Sequence, residues 1–470
     1  MRREAARTVG RRELLRLGSA AAAASLAGCS LLGGGGNSPV PPPRVSTPRG
    51  DDLPAKGPTG TPYEHTVNLV ADAGADPTGQ SSIASTLKRR AGDDTLLYLP
   101  QGRYLLDEPV VLSGFSNLGI VGDGATIVPP DGYTRYLLVA GVPRQAASAF
   151  RFAGVAFDCT GARTAPRPLQ ASVETGLAVS DVTVHGRAQT VRFDVTDRDG
   201  RGVVERLRLP DGGATVGGLY PPGCFVGPIT RGRLTFRDCR IEGFPNNGLY
   251  ASGAKGPTDV IGGTYRNNDI ANVRVSGDSL VRGVHVRNDA SPADYRNMRG
   301  IMLRNGRSAR VENATIELAD VTDSDGAIVA EKLLRTATIE NTEIRIDVDD
   351  VPAIWAKSPT RKLTANGPTH VACRNLFVTG AAADGSTVRV VDRHGCTFER
   401  VSISQSGVRR NGLHLIRSRD ADIRQAWIDV TGRPLYLEQS DPRQADVCTG
   451  RDGIASCMDF LETLLSWSSL

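Results

Sequence analysis

Apolar and polar positions fall along the chain in one recurring pattern: a short β-rich run, a polar turn, then a second short run. Clear copies read GRLTFRDCRIEG at 232–243, GRSARVENATIEL at 306–318 and LLRTATIENTEIRI at 333–346. Two more read RHGCTFERVSISQ at 393–405 and SRDADIRQAWIDV at 418–430. The apolar residue ending each copy falls at Phe157, Val184, Leu209, Ile241, Tyr265, Val286, Ile316, Ile344, Phe377, Ile403 and Ile428. Successive gaps run from 21 to 33 residues and average 27, a period at which repeats stack into a solenoid. One unit cannot bury its inner face alone, so the core must come from stacking.

Each copy keeps a five-residue step between two inward positions, as in Phe236 and Ile241, Val311 and Ile316, Phe398 and Ile403, Ile423 and Ile428. Asp or Asn suits the turn between them, because its short side chain bonds local backbone and tolerates unusual dihedrals. A further strand follows each copy, for example GLYAS at 248–252, ANVRVS at 271–276, PAIWA at 352–356 and GLHLI at 412–416. Their β-branched and aromatic content favours strands, and two or three per repeat match a three-sided coil. No long helical period separates them, which argues against βαβ units. The expected fold is an all-β parallel β-helix. Open solenoid ends invite edge pairing, so short helices within 81–90 and at 458–465 are expected to cap them.

The two ends of the chain read differently. Arg11-Arg12 precede the apolar stretch GSAAAAASLAG and Cys29. Positive charge, a short apolar run and a small-residue exit form an export pattern too short to span a membrane. The arginine pair resembles a Tat signal, although Gly10 and Leu14 depart from its usual residues. Leu26-Ala27-Gly28-Cys29 resembles the lipobox whose cysteine becomes an acylated N-terminus. Residues 1–28 are therefore expected to be a lipoprotein signal peptide and Cys29 the lipidated residue, with ordinary export and cleavage as the alternative. Residues 29–63 are rich in Gly and Pro and read as a flexible tether. Residues 64–445 form the expected solenoid with its N-terminal cap, and 446–470 a C-terminal cap.

Charge and cysteines narrow the picture. Of the formal net charge of +5, residues 1–28 supply +4, so the mature chain is nearly neutral. That argues against a strong field for nucleic acid, and no Walker loop or dinucleotide fingerprint supports a nucleotide ligand. Cys448 and Cys457 lie close enough in sequence to pair, and export permits the disulfide. Cys373 and Cys396 are one repeat apart, while Cys159, Cys224 and Cys239 read as buried thiols. The spacings lack the patterns of a metal cluster.

The words NLVADAGADPTGQSSI from residue 68, DDTLLYLPQGRYLL, GIVGDGATIVPP and GVAFDCTG resemble the opening of pectate-lyase-like extracellular proteins. The likeness runs to about residue 440 and is also similar to right-handed β-helix proteins exported by haloarchaea. It implies a right-handed parallel β-helix whose body begins near Asp72 and whose early strands turn at Pro100-Gln101-Gly102. Relatives of this kind include polysaccharide lyases, polygalacturonase-like hydrolases, epimerases and proteins with no demonstrated catalysis, so the fold does not assign a reaction.

Polar residues recur just before the second strands: Asn246-Asn247, Asn267-Asn268-Asp269, Tyr295-Arg296-Asn297, Asp323, Asp349-Asp350 and Arg409-Arg410-Asn411. Successive coils lie about 4.8 Å apart, so such residues can form an elongated ladder for a sugar polymer. Asn247, Tyr250, Asn268, Tyr295, Arg296 and Trp355 are the candidate substrate-binding residues. Solvated turns in which Asn and Asp serve the backbone are the alternative. For a lyase, Arg296, Arg299 or Lys332 would be the base, with Asp323 and Asp325 holding a Ca²⁺ ion. For a hydrolase, Asp325 with Asp349 or Asp350 would be the carboxyl pair. His185, His285, His394 and His414 read as structural. The sequence fixes no cofactor, and Ca²⁺ belongs only to the lyase chemistry. The expectation is an exported, lipid-anchored surface protein that binds or processes polysaccharide, with a non-catalytic structural or adhesion solenoid as the alternative.

Overall fold

The inward residues of the repeat stack on one another coil after coil. The computed structural model describes residues 53–142 and 147–450, and within them 33 strands join one continuous, parallel-paired sheet wound as a right-handed β-helix. One inner column runs Leu97, Ile120, Phe152, Val179, Val204, Phe236, Val260, Val281, Val311, Ile339, Cys373, Phe398 and Ile423. A second carries the repeat-ending residues, with Ile241 on Tyr265, Val286, Ile316 and Ile344. These side chains are buried almost completely, each contributing about 1.5–3 kcal/mol relative to exposure. One expected member is displaced. Val378, not Phe377, pairs with Ile344 and Ile403, and Phe377 faces outward beside Glu343 and Ser402.

The turn between the two columns explains the five-residue step. The residue two places after the first inward residue has a left-handed backbone at Gly154, Asp181, Arg206, Asp238, Gly262, Gly283, Asn313, Asn341, Asn375, Arg400 and Gln425. Asn and Asp tolerate that region better than other non-glycine residues. Neighbouring corners are also tied together: Arg206 makes a fork on Asp181 at 2.6 and 2.8 Å, and the Asn375 amide donates to Asn341 at 2.6 Å.

A third column holds Val191, Cys224, Leu249, Val273, Ile301, Ile328, Ile354, Val388 and Leu413 on its inner side. The helix Ala84–Arg90 buries Ala84, Thr86 and Leu87 ahead of the strand Thr95–Leu99, as a cap should. A one-turn helix at Arg361–Thr364 was not expected from the sequence. Residues 55–63, assigned by composition to the tether, instead fold onto the body. Gly57 and Thr61 close a turn, and the Asn117 amide donates to the carbonyls of Thr61 and Pro62 at 3.2 Å. The signal segment 1–28, Cys29 and the helix expected at 458–465 lie outside the described residues. Cys448 is disulfide-bonded, and Cys457, its expected partner, also lies outside them. Cys159, Cys224, Cys239, Cys373 and Cys396 are buried free thiols.

Candidate functional site

Side chains alternate across a strand, so the third column has an outer row as well as an inner one. In register that row reads Arg192, Phe225, Tyr250, Arg274, Met302, Val329, Trp355, Arg389, His414 and Tyr436. Aromatic and cationic side chains dominate both ends of it. Arg192 lies 5.4 Å from the Phe225 ring, which meets Tyr250 edge-on at 5.3 Å, and Arg274 sits 4.2 Å over Tyr250. Farther along, Arg389 is 5.2 Å from Trp355, and His414 stacks on Tyr436 with centroids 4.1 Å apart. The Arg433 guanidinium also lies over the Tyr436 ring, 4.6 Å from its centroid.

Between these halves lies a knot of charges. Lys357 donates to Asp325 at 2.8 Å and to Glu331 at 2.9 Å, while its ammonium lies 4.8 Å over the Trp355 ring. Arg299 pairs with the same Asp325 oxygen through Nε at 2.8 Å. Asp325 and Glu331 flank Val329 along the chain, so the ammonium that meets both crosses that residue, which is fully buried. Burial alone would raise the Asp325 pKa, but the hydrogen bonds and charges of Lys357 and Arg299 outweigh it and hold the carboxyl below its ordinary value. A general acid needs the opposite shift. Asp325 therefore has no proton to give near neutrality.

The remaining candidates separate from this knot. Asp349 and Asp350 sit at a corner where Asp349 accepts the Ala383 N–H at 2.7 Å and the Asp350 N–H bonds the Ala383 carbonyl. They serve the next coil's turn, not a pair with Asp325. Lys332 is exposed and makes no ion pair among the described residues, and Asp323 is exposed. Cation ligands do not converge: Asp325 is already neutralised by two cations, and no group of three metal-ligating side chains occurs among the described residues. Asp323 and Asp325, as placed here, do not fit a Ca²⁺ ion.

Two proposed sugar ligands are interior. Asn268 accepts the Phe244 N–H at 3.0 Å and donates to Asn272, which donates to Asn288, which bonds the Met298 carbonyl at 2.7 Å. All three asparagines are fully buried. Asn247 is also buried, its amide on Asn246. Both are corrected to structural residues. Tyr295 packs partly into the core, where burial pushes its pKa up to about 12, and Arg296 lies near Asp269 and the Tyr220 ring in the outlying loop. Of the named residues, the structure places Tyr250 and Trp355 on one outer row, with Arg299 and Asp325 beside it.

Sequence reasoning missed Arg192, Phe225, Arg274, Glu331, Lys357, Arg389 and Tyr436. For Arg192, Phe225, Arg274, Arg389 and Tyr436 the signal is the position one residue after the inward apolar residue of each third-column strand, as in Leu249-Tyr250, Val273-Arg274 and Ile354-Trp355, whereas Glu331 and Lys357 lie two residues farther on. His414, expected to be structural, is nearly buried in the row. Its Nε2 is 2.9 Å from Glu438 and its Nδ1 3.2 Å from Ser386, and burial lowers its pKa more than Glu438 raises it.

No family model and no curated protein matches the chain. Among solved structures, the Streptococcus pneumoniae surface adhesin PfbA is 12% identical over 82% of this chain and 99% of that one, with a TM-score of 0.42. The Yersinia enterocolitica family 28 exopolygalacturonase is 13% identical over 80% of each chain, with a TM-score of 0.43. The catalytic unit of the GH87 α-1,3-glucanase from Streptomyces thermodiastaticus is 14% identical over 84% of this chain and 71% of that one, with a TM-score of 0.42.

Proposed function

We propose that this protein is an exported, lipid-anchored surface solenoid that binds a polysaccharide along the outer row of its third column, without cleaving it. The observation that carries the reading is the in-register row of aromatic rings and guanidinium groups, with Tyr250 and Trp355 as its platforms. Ring faces bind the apolar faces of sugars, and cations beside them favour an acidic polymer. The acids near the row are engaged: Asp325 and Glu331 by Lys357, and Asp194 by Arg192. Two free carboxyl groups, which hydrolysis requires, are therefore lacking among these acids of the described residues. Export and anchoring rest on Arg11-Arg12 and the sequence ending at Cys29.

The test is affinity electrophoresis of the mature protein against acidic and neutral polysaccharides, with unsaturated products and new reducing ends followed in parallel. Tyr250→Ala and Trp355→Ala should each weaken retention by about tenfold, the scale of one lost aromatic contact. Turnover of any polymer would overturn the non-catalytic reading. Equal retention of both variants would remove the row as the binding face.

A further inference from the structure

At the end of the row that begins with Arg192, the chain builds a cleft that, among the described residues, is lined by cations alone. Arg198, Arg231 and Lys255 follow the strands Val191–Val195, Cys224–Phe225 and Leu249–Tyr250, at the same corner of three successive coils. Together they line a cavity of about 340 Å³. All three are exposed, and no carboxylate pairs with any of them among the described residues. The buried acid of this corner, Asp194, is spent on Arg192, the Gly227 N–H and the Thr230 hydroxyl at 2.6, 2.8 and 2.9 Å. Asp197 and Asp199 flank Arg198 in the chain, but neither lines the cavity.

This arrangement differs from the rest of the surface, where arginines commonly meet an acid on a neighbouring coil, as in Arg206 with Asp181, Arg409 with Asp384 and Arg417 with Asp392. Three like charges around one cavity repel one another, and an anion between them relieves that repulsion while accepting charge-assisted hydrogen bonds. We infer that the cleft of Arg198, Arg231 and Lys255 binds a tetrahedral oxyanion, a sulfate or phosphate half-ester carried by the glycan that lies on the adjoining row. A half-ester presents several oxygens to donors arriving from three coils, which a single planar carboxylate does less well. The inference rests on the glycan reading of the row and adds its substituent.

The experiment compares dextran sulfate with unsubstituted dextran, and inorganic sulfate and phosphate as free ions, by titration calorimetry on the mature protein. The variants are Arg231→Gln with Lys255→Gln together, and Tyr250→Ala on the row; the cleft side chains are exposed, so their replacement leaves the core intact. Dextran sulfate should bind at least tenfold more tightly than dextran, and the double variant should lose about tenfold per cation removed. If both polymers bind alike, or the double variant holds dextran sulfate as tightly as the native protein, the cleft assignment is overturned while the row stands. If the free ions bind and are lost in the double variant, but no polymer is retained, the oxyanion site holds and the glycan reading fails.

Discussion

At the scale of single residues, the corner between the first and second columns is the most demanding position in the coil. Most of its occupants are Gly, Asp or Asn, but Gln425 holds a left-handed backbone of φ 52° with no compensating hydrogen bond of its side chain among those described. Arg206 and Arg400 share that conformation, yet each gains a partner, Asp181 and Asn375 respectively. A non-glycine residue in this region costs roughly 1–2 kcal/mol, and Asn relieves part of it. Gln425→Asn should therefore stabilise the protein by about 1 kcal/mol, seen as a higher urea midpoint with an unchanged slope. An unchanged or lowered midpoint would mean that Gln425 contributes packing that the backbone argument omits.

At the scale of the elements, buried polar groups hold adjacent coils in register. Asn272 is the middle of the Asn268–Asn272–Asn288 relay, accepting at 2.8 Å and donating at 2.8 Å. Asn272→Ala leaves one buried N–H of the Asn268 amide without a partner, while Asn268 keeps the Ile241 carbonyl and the Asn288 oxygen keeps the Asn267 N–H, at a cost of about 1–3 kcal/mol. Hydrogen exchange should then rise first in the strands Thr264–Arg266, Ala271–Val275 and His285–Asp289; protection lost evenly along the solenoid would refute this local role. Fully buried Arg393 works in the same way, donating to the carbonyls of Glu331, Leu334, Arg335 and Lys357. These ties also mark where sequence reading stopped. The inward apolar positions and the Asp or Asn corner were legible because both repeat at a fixed local step. Whether a polar residue beside a corner points inward, as Asn268 does, or outward, as Tyr250 does, depends on how the chain bends there. The charge knot was hidden because Asp325, Lys357 and Arg299 meet across coils of unequal length, whereas Val378 in place of Phe377 was legible from the regular five-residue step after Cys373.

At the scale of the whole molecule, a solenoid turns a weak local contact into an extended one. Tyr250 and Trp355 are separated by four coil steps, through Arg274, Met302 and Val329, or about 19 Å along the axis. A short oligosaccharide can therefore occupy one aromatic platform at a time, whereas a longer chain can engage both. Once the first platform is occupied, the second contact becomes intramolecular, and its effective concentration multiplies the affinity. Affinity for a graded series of oligosaccharides from the retained polymer should rise gently with length, then step upward by at least about tenfold when the chain spans roughly 20 Å. Trp355→Ala should abolish the step while leaving binding of the shortest oligomers at Tyr250 unchanged. Tyr250→Ala should abolish the same step from the other end. A smooth rise with length in the native protein, or a step that survives either substitution, would mean that the two halves of the row do not share one ligand. In that case the charge knot of Asp325, Lys357 and Glu331 would divide the face into two independent sites.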